Sequence, residues 1–175
     1  MTDSAYPIGR FELPETLTPA QRNERINTIE ELPATLLNIL RNTKPEDLSN
    51  KYRDGSWMVR EIIHHLADSH MQGFARFKLA LTEDNPIIKP YEQDGWALLP
   101  DVGRVEIEPS LNIIKGVHHR WTVLMRTMKS KQWKRTFHHP DWNHNFTLEQ
   151  SLAQYAWHSQ HHLAHIRTAL EKEKP

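Results

Sequence analysis

The chain has no cysteine among its 175 residues. Disulfides, thiolate metal sites and a cysteine nucleophile are therefore excluded. It also has no excess of either charge: 22 Lys and Arg balance 22 Asp and Glu, giving a formal net charge of zero with histidine neutral. Nucleic-acid binders usually carry a basic excess, so this balance argues against a nucleic-acid partner. No apolar run approaches the roughly 18 residues that would cross a bilayer. The opening stretch MTDSAYPIGRFELPETLTP lacks the apolar segment of a signal peptide. The expectation is a cytoplasmic protein without a membrane partner. A hydrophobic content of 38% and a mean hydropathy of −0.70 describe a polar chain that can still fold. Its length favours a single domain, 1–175, with a real core.

What the sequence does hold is helical periodicity. Residues 1–17, with Pro7 and Pro14 and no periodic apolar positions, read as an extended arm. Thr18–Pro19 is a helix start, a capping threonine followed by a proline whose missing N–H costs nothing there. Ile26, Ile29, Leu32, Leu36 and Leu40 follow at helical spacing, and Pro33 is expected to kink that helix. Ser56 is the expected cap of a second helix, whose face runs Val59, Ile62, Ile63, Leu66, His70, Phe74, Phe77 and Leu81. Residues 84 to about 108 carry several prolines and glycines and predict a long ordered loop. A third helix opens at Pro109–Ser110 with Leu111, Ile114, Trp121, Leu124, Met125 and Met128 as its stripe. Residues 131–146 are irregular, with room for a short hairpin. Thr147 and Gln150 form a capping box before a last helix running to Glu171. Four amphipathic helices with long connections predict an all-α protein, an antiparallel four-helix bundle.

The chemistry concentrates in WHSQHHLAH, residues 157–165, which holds four of the chain's 12 histidines. His158/His162 and His161/His165 are both i, i+4 pairs, and each stacks two imidazoles on one helix face, as a helix does when it offers two ligands to one metal. A catalytic site of this kind takes a third protein ligand and keeps a position open. The second helix supplies His64, His65 and His70 as candidates. Periodicity alone favours His70 with His158/His162, because these lie nearest the apolar stripes. His118, His119, His138, His139 and His144 read singly as ordinary side chains.

With YPIGRF (6–11), YRDGSWMVREIIHHLADSHMQGFARFKLALTED (52–84), HHRWTVLMRTM (118–128), HHPD (138–141) and YAWHSQHHLAHI (155–166) in order along it, the chain resembles the DinB-like superfamily. Within that superfamily it is similar to the YfiT-like metal-dependent hydrolases and the bacillithiol S-transferases. The resemblance implies a four-helix bundle and one divalent ion per chain, Zn2+ or Ni2+, held by His65, His161 and His165. His158, Asp68 and Tyr155 are then candidates to orient the ligands, and Arg53, Asp54, His139 and Asp141 match family motifs. Trp96 and Trp142, in loops, are candidates for a pocket wall. The implied activity is hydrolysis, or transfer of a low-molecular-weight thiol to a small electrophilic substrate. The competing reading is a non-catalytic metal-binding and dimerisation bundle in a stress response. A homodimer, with the N-terminal arm crossing to a neighbour, is a further expectation.

Overall fold

Each apolar stripe forms a helix in the computed structural model, which describes residues 4–171. The long helices are α1 (Pro19–Leu40), α2 (Val59–Thr82), α5 (Glu108–Thr127) and α6 (Leu148–Glu171), with the short α3 (Gln93–Ala97) and α4 (Pro100–Arg104) between α2 and α5. The caps predicted at Thr18 and Thr147 both form, and each is a capping box, although at Thr18 the sequence predicts only the threonine cap. Gln21 N donates to Thr18 Oγ1 at 3.2 Å and Thr18 N to Gln21 Oε1 at 2.9 Å. Gln150 N donates to Thr147 Oγ1 at 3.2 Å and Thr147 N to Gln150 Oε1 at 3.0 Å. Pro33 does not interrupt α1.

Ser56 is not the cap of α2. Its hydroxyl donates to Arg53 O at 2.8 Å and accepts from Arg53 N at 3.3 Å, closing a turn in which Gly55 takes φ +71. Met58 is the cap residue, and its N–H donates to the Glu61 carboxylate at 2.6 Å. The YRDG stretch is thus the turn that launches α2. Residues 84–108, expected as loop, contain α3 and α4. The irregular segment after α5 holds an antiparallel hairpin, β1 (Thr136–His139) with β2 (His144–Thr147), turned by Asn143 at φ +44. Its register pairs Phe137 with Phe146, and both rings are buried.

The bundle packs α1 and α2 each against both α5 and α6. Cross-helix contacts fix the directions. His64 meets Ser110 and His70 meets His118, so α2 and α5 run the same way. Arg22 near the start of α1 meets Glu149 at the start of α6, so these two also run together. His65 contacts His162 and Gly73 faces Tyr155, so α2 and α6 are antiparallel. Parallel neighbours explain the long α2–α5 connection. The chain must travel back along a 24-residue helix, about 36 Å at 1.5 Å per residue, before α5 can start.

The apolar core is interrupted. One cluster gathers around Phe77, Trp121, Phe146 and Leu152, the other around Ile62, Leu66, Leu163 and Ile166. On α2 the gap between them holds Ser69 and His70, on α5 His118, and on α6 His158, Ser159, His161 and His162. A polar layer therefore crosses the middle of the bundle. Gly73 sets its spacing: a Cβ there would lie 2.5 Å from the Tyr155 ring and 2.6 Å from Trp121.

The described part of the arm lies along α6 of its own chain. Trp157 Nε1 donates to Gly9 O at 3.3 Å, Gln150 Nε2 donates to Pro14 O at 3.1 Å, and Leu17 is buried. Among the described residues no helix is long and apolar enough to cross a membrane.

Candidate metal centre

The polar layer starts as a chain of imidazoles. His118 Nδ1 lies 2.5 Å from Ile29 O, His118 Nε2 lies 2.8 Å from His70 Nδ1, His70 Nε2 lies 3.1 Å from His158 Nδ1, and His158 Nε2 lies 3.1 Å from His65 Nε2. Burial pushes His118 and His65 down to about 4 and holds His70 and His158 well below the usual histidine value, so all four rings are neutral near pH 7. A neutral ring has one donor and one acceptor nitrogen. The Ile29 carbonyl can only accept, so His118 Nδ1 donates to it. His70 Nδ1 must then donate to His118 Nε2, and His158 Nδ1 to His70 Nε2. His158 Nε2 is left with a lone pair facing His65. A proton on His65 Nε2 satisfies that lone pair and makes Nδ1 the free acceptor of His65. One backbone carbonyl of α1 thus sets four tautomers, and the last of them belongs to a candidate ligand.

The outer part of the layer is different. His161, His162 and His165 are buried, yet Nδ1 of all three and Nε2 of His165 have no well-formed hydrogen bond, although the Ala5 backbone approaches the His165 ring. Burial depresses the pKa of His161 and His165 to about 4 and holds that of His162 well below the usual histidine value; neighbouring imidazoles add to the effect on His161 and His162. Aromatic rings hold the outer pair in place. Tyr52 stacks on His165 with centroids 3.8 Å apart, and Trp157 on His161 at 4.4 Å. A cavity of about 310 Å³ opens at this point, among Tyr6, Tyr52, Trp57 and the three histidines.

The structure brings the candidate ligands together in two overlapping groups. Ring nitrogens of His65, His158 and His162 lie within 4.8 Å of one another, and so do those of His161, His162 and His165. His162 belongs to both, and the His65 and His162 ring centroids are 5.0 Å apart. His161 and His165 are adjacent, with centroids 4.2 Å apart, and His162 lies between them and His65. Neutral, buried nitrogens with unused lone pairs are the donor set that a borderline divalent ion takes. The residues fit a metal.

Of the candidate orienting groups, His158 bonds to His65 and His70. Asp68 bonds to no histidine; burial and the Asp101 charge raise its pKa to about 6. Tyr155 Oη accepts from Arg76 at 3.4 Å, away from the outer histidines.

A family model described as the DinB superfamily matches residues 28–166. The chain belongs to the DinB superfamily. It is 44% identical over 162 residues to a Bacillus subtilis protein named "Putative metal-dependent hydrolase YfiT", covering 93% of this chain and 91% of that one. A similarly named protein of Oceanobacillus iheyensis is 46% identical over 169 residues, covering 97% and 96%. The solved structure of Bacillus subtilis YfiT superposes with a TM-score of 0.93 at 42% identity, covering 97% of each chain; it is described as a probable metal-dependent hydrolase "with an unusual four-helix bundle topology".

Sequence reasoning missed the role of two groups. His118 reads as an ordinary helix histidine, because its partners Ile29 and His70 are far away in sequence. Arg76 lies within the second helix, and the sequence assigns it no role. A signal was present for Arg76: His65, Ser69 and Arg76 are spaced by four and seven residues, which puts all three on one face of α2.

Proposed function

We propose that this protein is a metal-dependent hydrolase of a small-molecule substrate, with one divalent ion, Zn2+ or Ni2+, on His65, His161 and His165. The carrying observation is the set of buried, unpartnered imidazole nitrogens on the outer face of α6. They border a cavity that can admit a substrate. A metal held there by three neutral ligands keeps its full double charge and acidifies a bound water to a pKa of about 7, or a thiol, by the same field. The chain's own residues supply placement. Tyr52 and Trp157 fix the rings of His165 and His161 by stacking. The Ile29–His118–His70–His158 chain fixes the His65 tautomer, in the way partners of ligating histidines do. Trp57, with its centroid 4.7 Å from that of His65, limits water on that side.

One observation favours a second ligand set, His65, His158 and His162. The 3.1 Å between His65 Nε2 and His158 Nε2 is close to the roughly 3.3 Å edge of a tetrahedron with Zn–N bonds of about 2.0–2.1 Å.

The test combines metal analysis and turnover. Metal-loaded protein should hydrolyse at least one member of an ester, amide and lactone panel, lose that activity to a chelator and regain it with Zn2+ or Ni2+. A parallel arm offers a low-molecular-weight thiol with electrophiles; product there, and none from water, would replace hydrolysis with thiol transfer on the same ligands. Single alanine variants decide the ligand set. Loss of the ion in His65→Ala, His161→Ala and His165→Ala supports the first set; loss in His158→Ala and His162→Ala with retention in His161→Ala supports the second. A stoichiometric ion with no turnover in either arm would favour the non-catalytic bundle.

A further inference from the structure

Arg76 lies in a second cavity that borders the histidine layer on the side of His158. It is only 9% exposed. Among the described residues the ion pairs are Arg22–Glu149, Arg126–Glu30 and Lys134–Glu149, and Arg76 takes part in none. Its Nη1 donates to Tyr155 Oη over a long 3.4 Å, and its Nε is buried with no partner at all. A guanidinium stays charged at any physiological pH, so burial cannot be relieved by losing a proton. Removing such a group from water without an opposing charge is costly, and folds rarely keep one without use.

The other walls share the same lack. Tyr91 Oη is buried without a well-formed bond, although the Ser69 hydroxyl approaches it, and His139 Nδ1 is buried without a partner. Trp142, 58% exposed, supplies an apolar edge at the mouth. A fixed positive charge, a hydroxyl without a well-formed bond and an aromatic lip surround about 160 Å³ of space. Drug-sized ligands usually occupy about 300–1,000 Å³, so the occupant is small.

We propose that this cavity is the subsite for a carboxylate on the substrate, with the Arg76 fork and the Tyr91 hydroxyl as its donors. The inference rests on the hydrolase reading only for the word substrate; the carboxylate site stands on Arg76 itself. One positive charge is matched by a monoanion, and the planar guanidinium edge matches a planar carboxylate. A phosphate dianion would leave one charge unmet, and the Asp141 carboxylate on the same cavity, which repels any anion, repels a dianion more strongly than a monoanion. The site shares His158 with the histidine layer, whose Nε2 is 3.1 Å from His65. The substrate class is therefore a small organic acid held by its carboxylate.

The test is binding rather than turnover. Propionate, propionamide and inorganic phosphate are titrated into metal-loaded and chelator-treated protein at constant ionic strength, by calorimetry and tryptophan fluorescence. The expected result is one saturable propionate site in both forms, with propionamide and phosphate at least tenfold weaker. Arg76→Met should weaken propionate at least tenfold. Tyr91→Phe should weaken it about fivefold while leaving the melting temperature unchanged or higher, since it removes an unsatisfied buried group; a merely structural tyrosine would lower it. If Arg76→Met does not fold, Tyr91→Phe carries the decision. Equal binding of acid and amide, tighter binding of phosphate, or unchanged binding in a folded Arg76→Met would overturn the proposal. Persistence of propionate binding in His161→Ala protein would support it even if no metal were found, so the two readings fail separately.

Discussion

Glu149 and Arg76 are both charged and both buried, on facing helices of one bundle. Around Glu149 the chain supplies every partner: Lys134 Nζ at 2.5 Å, Arg22 Nη1 at 3.1 Å and the Leu17 N–H at 3.4 Å. Around Arg76 it supplies one long bond to a tyrosine. The imidazoles divide in the same way. His118, His70 and His158 are bonded at both nitrogens, whereas His161, His162 and His165 keep unused ones. The contrast separates buried groups satisfied within the chain from the open groups that border the two cavities.

Acid should break this contrast most completely. His65, His118, His161 and His165 have folded-state values near 4 against a usual 6.5, with burial as the first cause. The unfolded chain therefore binds more protons below pH 6.5, and stability falls as pH drops from 6.5 toward 4. Asp68, raised to about 6, works the other way but is one group against several. Metal-free protein should unfold within that window by circular dichroism, and a bound divalent ion should move the transition to lower pH. A flat stability profile from pH 7 to 4 would contradict the neutral-layer assignment.

Glu149→Ala should come next in size. It strands the Arg22 guanidinium, the Lys134 ammonium and the Leu17 N–H, at a cost of about 3 kcal/mol in urea unfolding. Gly73→Ala forces a methyl into Tyr155 and Trp121 and should cost about 2 kcal/mol, measured the same way. Arg76→Met should have the smallest effect on stability, and of opposite sign: unchanged, or more stable by about 1 kcal/mol, because an unpaired buried charge gives way to an apolar chain. If Glu149→Ala and Arg76→Met destabilise alike, the distinction between the two buried charges is lost.

Much of this was legible in the residues. Thr18, Pro19, Thr147 and Gln150 announce their caps, and the periodic apolar positions become the four helices. The i, i+4 histidines announce a face that could hold a metal. Helix direction was not legible, since stripes say which face is buried but not against which neighbour. Periodicity placed His70 on the inner face beside His158, and they do meet, at 3.1 Å, as hydrogen-bond partners. The resemblance points instead to His65, His161 and His165. No spacing on α6 alone could decide between these, because the deciding contacts come from α2 and, through His118, from α5 and α1.

The most direct test of the central claim is a titration of metal-depleted protein with Co2+, followed by its visible d–d absorption and checked by competition with Zn2+. Open imidazole nitrogens predict saturation at one ion per chain, with nitrogen-ligand bands that disappear in His161→Ala. Absence of a saturating spectrum, or several weak sites untouched by that substitution, would contradict it.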